Sequence, residues 1–115
     1  MKKIQTIGVA GAGAMGRGIA QIAAQAGFTV RLFDTQANVV EAAKEALAAT
    51  WHTLATKGKI TAEQAQSAVD HLHGAVALSE LADCDLVIEA IIERLEIKQQ
   101  FFRDLEDVVT PDCLL

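Results

Sequence analysis

Gly11-Ala12-Gly13-Ala14-Met15-Gly16, followed by the carboxylate of Asp34, is where residue type and spacing point most directly to chemistry. The order Gly-x-Gly-x-x-Gly suits the grip of a diphosphate by bare main chain. Gly11 lets the chain turn sharply out of a strand, Gly13 lacks the β-carbon that would hold a phosphate off the backbone N–H groups, and Gly16 lets a helix pack close to a sheet. Ala12, Ala14 and Met15 complete the loop with their own main-chain groups. The diphosphate would sit at the positive end of the helix, where unpaired N–H donors and the macrodipole both favour negative charge. No lysine is needed there. Asp34 lies 18 positions after Gly16, close to the ~20-residue spacing of a carboxylate that accepts hydrogen bonds from the adenosine ribose hydroxyls. A carboxylate in that place repels a 2′-phosphate, and Thr35-Gln36 brings no arginine to reverse the preference, so NAD is expected over NADP.

A glycine triplet alone is a weak sign, and the elements around it decide its meaning. Residues 4–10 read as a strand, 14–26 as a helix closed by Gly27 at its C-cap, and 28–33 as the next strand. The stretch 38–56 then carries Val39, Val40, Ala43, Leu47, Trp51 and Leu54 at three- and four-residue steps, the pattern of a helix with one apolar face. Lys57-Gly58-Lys59 breaks it, and Thr61 with Gln64 has the form of a capping box that opens a second helix running to about residue 72. These two form an antiparallel helix pair inserted between strands two and three, longer than a minimal crossover. Alternation then resumes: a strand over 75–78, a helical turn over 79–82, a parallel strand over 85–89, and a helix over 93–108 with Leu95, Phe101, Phe102, Leu105 and Val108 facing the core. Pro111 ends that connection and 113–115 opens a further strand. The expected class is α/β, a Rossmann-type doubly wound parallel sheet. Stopping inside an apolar strand predicts that residues 1–115 are one dinucleotide-binding domain of a truncated or cleaved chain.

Composition narrows the function classes. At 115 residues the chain is about one domain, short for a two-substrate enzyme. Its 51% hydrophobic and 22% charged residues describe a soluble globular protein, without an apolar run near the ~20 residues of a membrane span. Met1-Lys2-Lys3 leads straight into a strand and is no secretory signal. A net charge of −5 argues against nonspecific nucleic-acid binding. Cys84 and Cys113 are too few for a metal cluster or disulfide framework, which fits reduced thiols in the cytoplasm. His71 and His73, two apart, point to different sides of a helix and have no third ligand nearby, so no metal site is expected. His52 reads as a surface or groove residue rather than a base.

Beyond the glycine loop, the succession Gly18-Ile19-Ala20-Gln21, Asp34, Lys57-Gly58-Lys59 and Asp85-Leu86-Val87-Ile88-Glu89-Ala90, then Glu93-Arg94-Leu95-Glu96-Ile97-Lys98, resembles the NAD-binding domain of the L-3-hydroxyacyl-CoA dehydrogenases. That family includes 3-hydroxybutyryl-CoA and 3-hydroxyadipyl-CoA dehydrogenases, and the likeness spans essentially the whole chain. Its most specific part is the Val-Ile-Glu-Ala segment with Glu93 and Lys98 beyond it. The resemblance implies that Glu93 and Lys98 contact the nicotinamide half of NAD, and that Thr50 and Lys57, on the helix pair, touch the coenzyme A moiety of an acyl-CoA substrate. It also implies a catalytic histidine held by a glutamate, both well downstream of the strand that opens at Cys113, and a C-terminal helical domain that carries the homodimer contacts. None of His52, His71 or His73 matches that histidine, so no catalytic residue is expected in this chain. The implied activity is the oxidation of (S)-3-hydroxyacyl-CoA to 3-ketoacyl-CoA, with this domain holding the cofactor.

Two other readings stay open on the residues alone. A flavin site uses the same glycine turn followed by an acid, and a non-catalytic NAD sensor would use nucleotide binding to shift a conformational equilibrium. Short-chain reductases are disfavoured, because their acid is a Tyr-Lys pair and the chain has no tyrosine.

Overall fold

The computed structural model describes the backbone of residues 3–90 and 95–114, and the side chains of 3–90 and 100–114. Among them, strands β1 (Thr6–Ala10), β2 (Thr29–Phe33), β3 (Leu72–Ala75) and β4 (Leu86–Glu89) form a parallel sheet in the order β3-β2-β1-β4. The helices are α1 (Ala14–Gln25), α2 (Ala37–Thr56), α3 (Ala62–His71) and α4 (Leu95–Glu106), with a 3₁₀ turn over Leu78–Leu81. Leu114 makes a parallel bridge to Leu86, donating to the Asp85 carbonyl at 2.9 Å while its own carbonyl accepts from Val87 at 2.7 Å. The strand expected from residue 113 thus begins to pair beyond β4.

Strand alternation splits the apolar residues between two faces. Ile7, Val9, Val30 and Leu32 pack against Ala20, Ala24, Val40, Leu47 and Trp51 of α1 and α2, whereas Ala10, Phe33, Ala75 and Val87 pack with Leu81, Cys84 and Leu105. Parallel strands need both faces covered, and the two helical layers supply this. Burial pushes the Cys84 thiol up to about 12, so it stays protonated.

The helix ends follow from local chemistry. Gly27, at φ +96°, stands one residue past the cap, which is Ala26 rather than the glycine itself. The Gly27 N–H reaches the Ala24 carbonyl at 3.1 Å and the Phe28 N–H the Ala23 carbonyl at 3.1 Å, a Schellman closure that a left-handed glycine permits. At α3 the expected capping box is complete: Gln64 N–H to Thr61 Oγ1 at 3.0 Å, and Thr61 N–H to Gln64 Oε1 at 2.8 Å. The helix pair does lie between β2 and β3. With 20 residues, α2 is about 30 Å long at 1.5 Å per residue, whereas a five-residue strand spans about 17 Å. Its last turns therefore outrun the sheet and pack on α3 instead.

Several boundaries differ from expectation, and at the strands the cause is a side chain that takes a ladder hydrogen bond or a helix that crosses close. The third strand is Leu72–Ala75 rather than 75–78, following α3 without a loop. The Val76 and Ala77 N–H groups donate to Glu80 Oε2 at 2.7 and 3.0 Å, which turns the chain out of the sheet, moves the helical turn to Leu78–Leu81, and holds the Glu80 carboxyl below its ordinary range. Gly74 hides the strand in the sequence, yet a β-carbon there would stand 2.7 Å from Val40 Cγ1 and 3.2 Å from Lys44 Cδ of α2. The first and fourth strands start later than residues 4 and 85 because Asp85, only 9% exposed, accepts from the Gln5 and Thr6 N–H groups at 2.9 and 3.0 Å through Oδ2. The last helix ends at Glu106 rather than 108; its described part begins at Leu95, and residues 93 and 94 lie outside the described residues. Leu105 is fully buried and Phe101, Phe102 and Val108 are half-buried, as the pattern expects.

Removing a buried acceptor from two main-chain donors is costly. Asp85→Ala is expected to lower unfolding free energy by about 2 kcal/mol, read from urea denaturation, with Asp85→Asn, which keeps one acceptor oxygen, costing less. Equal stability of Asp85→Ala and the parent would contradict this clamp.

Candidate coenzyme site at the carboxyl edge of the sheet

The register pairs Ala10 with Phe33 on one side and with Glu89 on the other, which brings the carboxyl ends of β1, β2 and β4 to one edge. The ladder runs one residue further on each side: Gly11 N–H reaches the Phe33 carbonyl at 2.8 Å, and Ala90 N–H reaches the Ala10 carbonyl at 2.8 Å. Gly11 then turns at φ +107°, a conformation that an L side chain rarely adopts. From β1 the chain passes to α1 on one face, while α4 covers the other, so the edge above β1 is where neighbouring connections part. Open α/β sheets bind their ligands at such a switch point.

Gly13 is the N-cap of α1, and no side chain caps it and no acid stands in the first turn. It is exposed, and a β-carbon built on it meets nothing within 4 Å. Ala12 beneath it is buried, and Ala14 and Met15 are exposed. The start of α1 therefore offers main-chain donors beside open space, which suits an anion such as a diphosphate. Gly16 acts differently. A β-carbon there would collide with the Gly11 carbonyl oxygen, stand 2.8 Å from the Gly11 carbonyl carbon, and touch Val9 Cγ1 at 3.6 Å. The close approach is thus of the helix to the turn itself, with the strand second.

Asp34 follows β2 and faces the loop. Its Oδ2 accepts from the Ala12 N–H at 3.1 Å and its Oδ1 from the Gln36 N–H at 3.0 Å, while its own N–H donates to the Ala75 carbonyl at 3.2 Å. Spacing alone does not disclose the link to Ala12. The signal lies in strand register, since Gly11 and Asp34 each stand one residue past paired Ala10 and Phe33.

Glu93 lies outside the described residues, and of Lys98 only the backbone within α4 is described. Thr50 and Lys57 do come together. With Ala49, Thr53, Leu54 and Lys59 they line a groove of about 290 Å³ near the end of α2. The Thr50 hydroxyl donates to the Ala46 carbonyl at 3.0 Å, which leaves its oxygen as an acceptor, and Lys57 and Lys59 are exposed. Thr50 stands 13 residues after the start of α2, roughly 20 Å along the helix from the glycine-loop edge. The groove and the loop are therefore separate sites. His52 is exposed on α2; His71 ends α3 with Nδ1 at 2.7 Å from the Ser67 carbonyl, and His73 is exposed on β3.

A parallel sheet whose carboxyl edge holds a glycine turn, an uncapped helix start and a carboxylate one strand over defines the dinucleotide-binding class of α/β domain. Within that class the chain belongs to the 3-hydroxyacyl-CoA dehydrogenases: residues 6–115 match the family model "3-hydroxyacyl-CoA dehydrogenase, NAD binding domain". It is 40% identical over 115 residues to the 3-hydroxyadipyl-CoA dehydrogenase of Escherichia coli (strain K12), covering 100% of this chain and 24% of that protein. It is 40% identical over 108 residues to a probable 3-hydroxybutyryl-CoA dehydrogenase of Deinococcus radiodurans, covering 94% of this chain and 38% of that protein. The crystal structure of 3-hydroxybutyryl-CoA dehydrogenase from E. coli K12 matches with a TM-score of 0.96 at 39% identity, over 99% of this chain and 24% of that one. The chain thus spans well under half the length of these relatives. The match selects NAD over the flavin reading. Among the described residues, no helix is long and apolar enough to cross a membrane.

Two glycines of α1 provide a matched comparison. Gly18→Ala, where a β-carbon meets nothing within 4 Å, is expected to stabilise the chain by about 0.5–1 kcal/mol. Gly16→Ala is expected to destabilise it by about 3 kcal/mol. Urea unfolding of both variants checks the pair, and a neutral Gly16→Ala would contradict the contact with Gly11.

Proposed function

We propose that this chain is the coenzyme-holding part of an NAD-dependent enzyme that oxidises (S)-3-hydroxyacyl-CoA to 3-ketoacyl-CoA. The observation that carries the reading is the uncapped start of α1 at exposed Gly13, with Asp34 hydrogen-bonded to the same loop. In it, main-chain groups of Gly11, Ala12, Gly13, Ala14, Met15 and Gly16 hold the diphosphate, and the remaining lone pairs of Asp34 accept from the adenosine ribose hydroxyls. Glu93 and Lys98 would bound the nicotinamide half. NAD, when bound, supplies the hydride acceptor.

The domain's own contribution is orientation, which is worth several kcal/mol of barrier when the acceptor is held in line with its donor. Thr50 and Lys57 would meet the coenzyme A portion of the substrate, with the Lys57 ammonium suited to a phosphate. The general base that removes the 3-hydroxyl proton belongs downstream of the strand that opens at Cys113, outside residues 1–115, and a C-terminal helical domain forms the homodimer. The relatives' names support an acyl-CoA substrate, since those proteins are 3-hydroxyadipyl-CoA and 3-hydroxybutyryl-CoA dehydrogenases. The two free cysteines fit a reducing cytoplasm.

Calorimetry with NAD⁺ tests the loop. The chain should bind the cofactor, and Gly13→Val and Asp34→Ala should each weaken it by roughly ten- to hundredfold; unchanged affinity in both would overturn the assignment. NADH formation from 3-hydroxybutyryl-CoA tests the division of labour. These 115 residues should show none above background, and appreciable turnover would place the general base inside them.

A further inference from the structure

We infer that Arg17 is a cofactor-affinity residue whose guanidinium supplies the positive charge facing the NAD diphosphate at the start of α1. The inference rests on the reading that the glycine loop holds that diphosphate, and goes beyond it, since the loop motif itself asks for no cation. Arg17 closes the first turn, its N–H donating to the Gly13 carbonyl at 2.9 Å. It borders the packed face of α1 made by Gly16, Ala20, Ala23 and Ala24 and is half-buried. Side chains on a helix lean toward its N-terminus, so a residue at this position covers the turn before it, where Gly13 leaves open space.

Its lack of a partner is informative. Among the described residues, Arg31 pairs with Asp83 at 3.0 Å and Arg103 donates to Gln100 at 2.8 Å, whereas the Arg17 side chain has neither hydrogen bond nor ion pair. Asp34, the carboxylate that faces the loop, is engaged by the Ala12 and Gln36 N–H groups. A cation is also at the wrong end of the helix here, because the macrodipole favours negative charge at an N-terminus and no acid in the first turn offsets it. An unpaired guanidinium at that end of the helix is unfavourable in the free protein, and a bound dianion would relieve it. An arginine can moreover take a phosphate in a two-pronged contact.

The test is calorimetry of NAD⁺ binding across a series of salt concentrations. Arg17→Ala and Arg17→Met, the latter keeping the apolar stem, should each bind NAD⁺ about tenfold more weakly, the equivalent of roughly 1.4 kcal/mol. The slope of affinity against salt should fall, Arg17→Lys should retain most of the affinity, and both neutral variants should melt no lower than the parent without cofactor. Wild-type affinity in Arg17→Ala, alongside loss of binding in Gly13→Val, would overturn the role of Arg17 and leave the loop assignment standing. Unchanged binding in both would overturn the loop assignment as well. A larger loss for NADP⁺ than for NAD⁺ would move the guanidinium to the 2′-position and overturn its placement on the diphosphate.

Discussion

The contact on which the rest depends is the approach of α1 to the turn that leaves β1, so close that no β-carbon fits at Gly16 beside the Gly11 carbonyl. It fixes where the helix starts. With Gly16 seated on the turn, Gly13 is carried to the exposed rim and the first N–H groups of α1 stand at the carboxyl edge of the sheet. The three glycines therefore solve three different problems: conformation at Gly11, open approach at Gly13, and contact at Gly16. A β-carbon meets space at one and backbone at another, which is why the motif is read as a unit rather than as a glycine-rich stretch.

Asp34 is the second node. It stands where β1, β2, β3 and α2 meet, bonded through its carboxylate to Ala12 and Gln36 and through its N–H to Ala75. An ionised carboxylate has about four lone-pair positions. Two are used within the chain, so the group is oriented in advance and still has capacity for two ribose hydroxyls. Preorganisation of this kind lowers the ordering cost at binding, because the loop and the acid need no rearrangement relative to each other.

Much of this was legible in the sequence, and the reason differs by element. β1, α1, β2 and α2 showed their periods because each carries a regular run of buried residues, and the capping box at Thr61 and Gln64 is a local rule that tertiary packing left alone. β3 was misplaced because its residue types obey a neighbour instead of the strand: Gly74 yields to Val40 and Lys44 of α2, and the better strand formers after it are drawn off by Glu80. The clamp of Asp85 on Gln5 and Thr6 spans about 80 positions and has no local signature. In the site, glycine spacing announced the loop, but the Asp34–Ala12 bond and the unpaired state of Arg17 emerge only once strand register and helix phase are set.

The helix pair gives the domain a long lever. α2 runs through 20 residues without glycine or proline, so it has none of the usual sites of bending. It is pinned in the core, five residues before its end, by Trp51, whose Nε1 donates to Gln25 Oε1 at 2.9 Å at the end of α1. That hydrogen bond ties the groove of Thr50 and Lys57 to the helix whose other end is the glycine loop. Two sites roughly 20 Å apart along α2 are thereby held in one frame.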